Sequence, residues 1–125
     1  MESEPNFLGL FSREREVISL KAGECLFKKG DAAQSTMHVV LSGEVRIGDG
    51  NIILETVGPG GIVGEMALID GSPRSATVTA STNTTLAAID EQRFLFLVHQ
   101  TPGFGLKVMR LLVGRLRKTT ALVGI

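Results

Sequence analysis

Glycine-bearing turns recur at short intervals through the first two thirds of the chain. Lys21-Ala-Gly-Glu, Lys28-Lys-Gly-Asp, Ser42-Gly43, Asp49-Gly50 and Gly58-Pro-Gly-Gly each break the backbone. The segments between them are too short for helices and too β-branched to want one. Cys25-Leu-Phe, Thr36 to Leu41, Glu44-Val-Arg-Ile and Ile52 to Val57 read as strands, with Glu16 to Leu20 as a weaker edge strand. Asp49-Gly50 is a hairpin signal, because a tight two-residue turn needs positive φ. Gly58-Pro-Gly-Gly is a loop that a sheet interior would not tolerate. Ala76-Thr77-Val78 opens another strand and Thr84 to Ile89 gives one more. Seven or eight short strands at this spacing predict a mainly β sandwich or jelly roll.

The pattern changes after Asp90, a candidate N-cap for a helix through Phe94, Leu95, Leu97 and Val98. Pro102-Gly103 interrupts it, and a second helix is predicted from about Phe104 to Val123 with Gly114 inside. Its residues Met109, Leu112, Leu116, Thr119 and Val123 are spaced 3, 4, 3, 4. This heptad-like stripe covers two heptads, fewer than a coiled coil needs. Val108, Leu111 and Leu122 make a second apolar edge. Both edges are expected to pack on the roll, ahead of the other reading, a homodimer through this C-terminal helix. Arg110, Arg115, Arg117 and Lys118 are expected on a solvated face that suits the helix dipole. At the other end, Asn6 to Phe11 reads as a short helix packed on the domain. The expectation is one domain over 1–125, with the roll at about 16–90 and C-terminal helices at about 91–123.

With 125 residues, 43% of them hydrophobic, the chain can bury a core without metal or disulfide. Lys plus Arg is 13 and Asp plus Glu is 13, so no general attraction to DNA or an anionic membrane is expected. Cys25 has no disulfide partner in the chain and is expected to be a small buried hydrophobe. The acidic start Met1-Glu-Ser-Glu-Pro has no apolar segment of a signal peptide, and no run of about 18 apolar residues exists. The expected location is the cytoplasm.

The stretch from Val63 to Val78 carries the chemistry. Gly64 permits close backbone approach, Glu65 is a fixed acceptor, and Met66 to Ile69 make one short apolar turn ended by Gly71-Ser-Pro. Arg74 and Ser75 follow as an anion-binding pair. Acceptor, helix-start N–H groups and guanidinium together suit a small ligand with a sugar hydroxyl and a phosphate.

In this the chain resembles the cyclic-nucleotide-binding domain family, the sensor modules of catabolite activators, of cyclic-AMP-dependent protein kinase regulatory subunits and of nucleotide-gated channels. The family's phosphate-binding cassette has the form Gly-Glu-x-Ala-Leu, a gap, then Arg-Ser/Thr/Ala-Ala-Thr/Ser. Here it reads Gly64-Glu65-Met66-Ala67-Leu68, a gap of five, then Arg74-Ser75-Ala76-Thr77. Leu41-Ser-Gly-Glu-Val45 is similar to the family's sharp turn between two roll strands, and Val63 stands where many members have Phe. The resemblance implies a double-stranded β-helix jelly roll with a short N-terminal helix and C-terminal helices. It implies that Glu65 accepts from a ribose 2′-OH, that Arg74 pairs with the cyclic phosphate, that Ser75 adds a hydroxyl, that the Ala67 N–H donates to a phosphate oxygen, and that Gly64 keeps the wall thin. Ile47, Val57 and Val63 would line the apolar side, and Met66 is placed at the site more for packing than for recognition. Arg115-Leu-Arg-Lys-Thr119-Thr120 resembles the part of the activator's long helix that touches adenine, which implies a role for Thr119 and Thr120. Taken without the cassette, Glu65 and Arg74 read as an internal ion pair.

The function implied is a stand-alone sensor of a cyclic nucleotide, cyclic AMP first, that signals by a helix rearrangement to an unidentified effector protein. The ligand is the nucleotide and no cofactor is expected. A cyclic-GMP-selective sensor is one alternative, since Ser75 puts a hydroxyl beside the arginine. A cupin-like metal enzyme is another, but the chain has only His38 and His99 for imidazole ligands. His38 is expected to be a satisfied strand histidine. No helix-turn-helix follows the last helix, so the output would run through a partner, or the chain is a fragment of something longer.

Overall fold

The computed structural model describes residues 7–11 and 16–122, with the side chains of Leu8 and of residues 119–122 outside that description. A short helix, α1 (Leu8–Phe11), precedes eight strands: β1 (Ile18–Leu20), β2 (Cys25–Phe27), β3 (Met37–Ser42), β4 (Val45–Asp49), β5 (Ile52–Val57), β6 (Ile62–Val63), β7 (Thr77–Ala80) and β8 (Thr84–Ile89). Helix α2 (Glu65–Asp70) lies between β6 and β7, and α3 (Glu91–Gln100) and α4 (Phe104–Leu122) close the chain. The strands form two four-stranded antiparallel sheets, ordered β1-β8-β3-β6 and β2-β7-β4-β5. This is the mainly β jelly roll with flanking helices that the turn spacing predicts. The two-residue strand β6 is an addition, too short to carry an alternation that a sequence could show.

Two apolar clusters follow from the alternation of side chains along β3. Val40 faces the second sheet and packs with Val45, Val57, Val63, Val78 and Leu86, while Met37 and Val39 face the helices and meet Phe7, Phe11, Leu68, Phe104, Val108 and Leu111. The first sheet is therefore covered on both faces. Phe104 makes edge contacts with Phe7 and Phe94 at 5.8 and 5.5 Å between ring centroids, tying both ends of the chain to one core. Asp90 caps α3 as expected, accepting from the Arg93 N–H at 2.8 Å.

Gly43 is irreplaceable at the β3–β4 turn. Its φ is +84°, and a Cβ there would lie 2.3 Å from the Asn83 carbonyl oxygen. The close approach lets the buried Thr84 hydroxyl accept from the Glu44 N–H at 3.1 Å and donate to the Thr82 carbonyl at 2.8 Å. The Asp49-Gly50 hairpin forms with Asp49 opposite Ile52, and a bulge between Ile47 and Gly48 then places Ile47 opposite Glu55.

Four sequence expectations are corrected. Cys25 is exposed, its thiol 3.5 Å from the Thr79 hydroxyl, because its strand lies at a sheet edge with the side chain outward. His38 sits in a strand but is not satisfied: it is 7% exposed and its Nδ1 has no hydrogen-bond partner among the described residues. Only one apolar edge of α4 packs on the roll. Val108 and Leu111 are buried, whereas Met109 is 57% and Leu116 67% exposed. Arg115 does not lie on a solvated face at all.

A candidate binding cavity between the roll and the last helix

Glycine at position 64 makes the site possible. It caps α2 with φ +76°, turning the chain so that Glu65 starts the helix pointing inward. A Cβ on Gly64 would stand 2.5 Å from Arg74 Nη1 and 3.4 Å from Phe27 Cε2, so a side chain here would occupy the place of the guanidinium. Arg74, 6% exposed, is threaded through this gap from the segment before β7. Its Nη1 donates to the carbonyls of Thr36 at 2.8 Å and Gly64 at 3.3 Å, its Nη2 to that of Ala33 at 3.3 Å, and its guanidinium carbon lies 4.0 Å from the centre of the Phe27 ring. Burial pulls the Arg74 pKa down, and the nearby Asp31 and Glu65 carboxylates oppose that pull.

Glu65 is 3% exposed and its partner comes from α4. Arg115 Nη1 lies 2.6 Å from Glu65 Oε1, while Arg115 Nε and Nη2 fork onto the Glu55 carboxylate at 3.2 and 3.0 Å and Nη2 also donates to the Ile62 carbonyl at 2.7 Å. Burial lowers the Arg115 pKa, but Glu65 and Glu55 outweigh it and hold the group above the usual arginine value. The internal ion pair that the bare sequence offers is thus Glu65 with Arg115 rather than Glu65 with Arg74.

These groups surround one cavity of about 330 Å³, lined by Gly64, Glu65, Met66, Ala67, Arg74 and Ser75 from the cassette, by Ile47, Leu54 and Glu55 from the β4–β5 hairpin, by Phe27, and by Arg115 and Lys118 from α4. That volume is at the small end of ligand pockets. Of the apolar wall expected from the sequence, Ile47 lines it, but Val57 and Val63 do not. Both are buried in the core between the sheets, because their strand faces put them behind the wall. Helix α4 runs through Thr119 and Thr120, whose side chains lie outside the described residues. Phe27, Glu55 and Arg115 were not anticipated. Arg115 follows Val108 and Leu111 at spacings of 3 and 4, which is the inward face of α4, and that periodicity was the available signal. Among the described residues no group of three or more His, Cys, Asp or Glu could hold a metal ion, and no helix is long and apolar enough to cross a membrane.

A buried arginine is thus held against a glycine-capped turn, with a carboxylate beside it, in an antiparallel roll. The profile of the cyclic nucleotide-binding domain matches residues 17–101, and the chain belongs to that family. The chain is similar to the "CRP-like cAMP-activated global transcriptional regulator" of Mycobacterium tuberculosis, 26% identical over 121 residues, covering 93% of this chain and 54% of that protein. It is similar also to the "Cyclic AMP receptor protein" of Thermus thermophilus, 32% identical over 130 residues, covering 94% of this chain and 60% of that one. Among solved structures, the Thermus thermophilus catabolite activator protein superposes with a TM-score of 0.75 at 30% identity, over 86% of this chain and 53% of that chain. The chain thus spans little more than half the length of the relatives it matches.

Proposed function

We propose that this domain binds cyclic AMP and reports its occupancy through α4 to a second protein, without chemistry of its own. The observation that carries the reading is the shared cavity, in which the cassette and α4 both supply charged groups. Arg74 would meet the cyclic phosphate, with Ser75 and the Ala67 N–H as further donors. Glu65 would accept from the ribose 2′-OH while keeping Arg115 as its counter-charge, so that the nucleotide completes a network already half built. The base would then extend toward the hairpin and α4, near Glu55, Arg115 and Lys118. The names of the curated relatives favour cyclic AMP over cyclic GMP. The exposed free thiol of Cys25 suits a reducing compartment such as the cytoplasm.

The report would leave through the outer face of α4. Leu106, Met109 and Val113 are about half exposed and, with Leu116, repeat at spacings of 3, 4 and 3. That is the period of a helix-pairing seam, and we assign it to a second copy of the chain or to an effector. The seam is set one face away from the stripe expected from the sequence, because Leu112 turns inward to pack on the core.

The deciding experiment is calorimetric titration with cyclic AMP and cyclic GMP in competition. Cyclic AMP should win, and Arg74→Ala should weaken its binding by about 2–5 kcal/mol, the usual loss when one partner of a buried charge pair is truncated. A folded wild-type domain that binds neither nucleotide, or a folded Arg74→Ala variant with unchanged affinity, refutes the proposal.

A further inference from the structure

Arg74 is more completely held than an anion-binding arginine needs to be. A guanidinium has five N–H donors. Two Nη1 contacts and one Nη2 contact go to backbone carbonyls, and among the described residues the Nε–H and the second Nη2–H are left for a ligand. The carbonyls hold the group by its edges, and the Phe27 ring covers one face, its centre 4.0 Å from the guanidinium carbon. Phe27 is itself backed by His38 from β3, ring centroids 6.2 Å apart and inclined at 45°. His38 is buried with Nδ1 unpartnered among the described residues, and burial together with Arg74 lowers its pKa to about 4, so the imidazole is neutral and adds no charge that would push Arg74 away.

We propose that Phe27 is a positioning residue for the anion site: its ring, braced by His38, is a shelf that holds the Arg74 guanidinium aimed into the cavity before any phosphate arrives. The inference rests on the reading of the cavity as a cyclic-nucleotide site. An aromatic face stabilises a cation where an aliphatic side chain of similar size only fills space. It also removes the need to freeze a long side chain at the moment of binding. Phe27 lies on β2, far in sequence from the cassette, so nothing in the motif itself announces it.

The test combines affinity with a direct probe of Arg74. In ligand-free wild-type protein, the Arg74 side-chain NMR signals should already be resolved and displaced by the aromatic ring current. Phe27→Leu should abolish that displacement and weaken cyclic AMP binding roughly three- to thirty-fold, the range of one cation–π contact. Phe27→Tyr, which keeps the ring, should restore both. Wild-type affinity in Phe27→Leu, a loss of affinity without movement of the Arg74 signals, or a Phe27→Tyr variant no better than Phe27→Leu overturns the proposal. Undisplaced Arg74 signals in the wild type overturn it without any variant. Should the wild type bind no cyclic nucleotide, the functional reading fails, while the ligand-free Arg74 signals still decide whether the shelf exists.

Discussion

Removing Arg115 strands the carboxylate on which the cavity is built. Glu65 keeps 4% of its side-chain area in solvent and Arg115 17%. The 2.6 Å contact between them is therefore a buried ion pair, and breaking such a pair from one side costs about 3–5 kcal/mol. Arg115→Ala also strips the Glu55 carboxylate and the Ile62 carbonyl of their shared donor. Arg115 retains some access to water, so water can replace part of what is lost, and the low end, about 3 kcal/mol, is expected. For a chain of this length that lowers the melting temperature by about 10 °C. The measurement is thermal unfolding at pH 7 of wild type, Arg115→Ala, Glu65→Gln and the double variant. If the stranded charge is the cause, the double variant recovers about 2 kcal/mol relative to the sum of the singles. Melting of Arg115→Ala within about 2 °C of wild type, or a coupling below about 0.5 kcal/mol, refutes the reasoning.

Gly64→Ala should lose about 1–2 kcal/mol of stability from its left-handed backbone, and more than ten-fold in cyclic AMP affinity because the new Cβ displaces Arg74 Nη1; titration showing unchanged affinity would contradict this. His38 makes stability depend on pH. Its folded pKa of about 4 lies below the 6.5 of an ordinary histidine, so the unfolded chain binds the extra proton first, and stability falls as pH drops from about 6.5 toward 4 and then levels off. The full loss is about 3 kcal/mol, and urea unfolding of His38→Phe should lack this slope. Equal slopes for the two proteins would show that His38 does not carry it.

The cassette was legible because it is local: glycine, carboxylate and arginine act within one turn-helix-turn, and their spacing is the motif. The strands were legible because each is bounded by a turn with its own backbone requirement, as at Asp49-Gly50. What was hidden depends on azimuth and register. Arg115 faces the cavity and Leu116 faces outward, and one residue on a helix turns the side chain by about 100°, so a small error in register exchanges the two. Glu55 was hidden by the bulge at Gly48. A regular two-residue hairpin would set Leu54 opposite Ile47, whereas the bulge brings Glu55 there, beside the cavity. Phe27 was read as an ordinary strand residue, and only the pairing of β2 with β7 carries it to Arg74.

Helix α4 holds Val108, Leu111 and Arg115 on its inner side and Leu106, Met109 and Val113 on its outer side, within one unbroken run from Phe104 to Leu122. A hydrogen-bonded helix resists torsion, so it behaves as a shaft: its two sides share one angle of rotation about the axis. In the signalling proposed above, a rotation of α4 that changed the grip of Glu55 and Glu65 on Arg115 would turn the outer row through the same angle, in the opposite direction in space. No relay of intervening side chains would then be required between the cavity and the surface, because the message would be the orientation of a single rigid body. The resistance to such a turn would be set in part by how Val108 and Leu111 seat in the core, which would make those two buried aliphatics the bearings on which it rides.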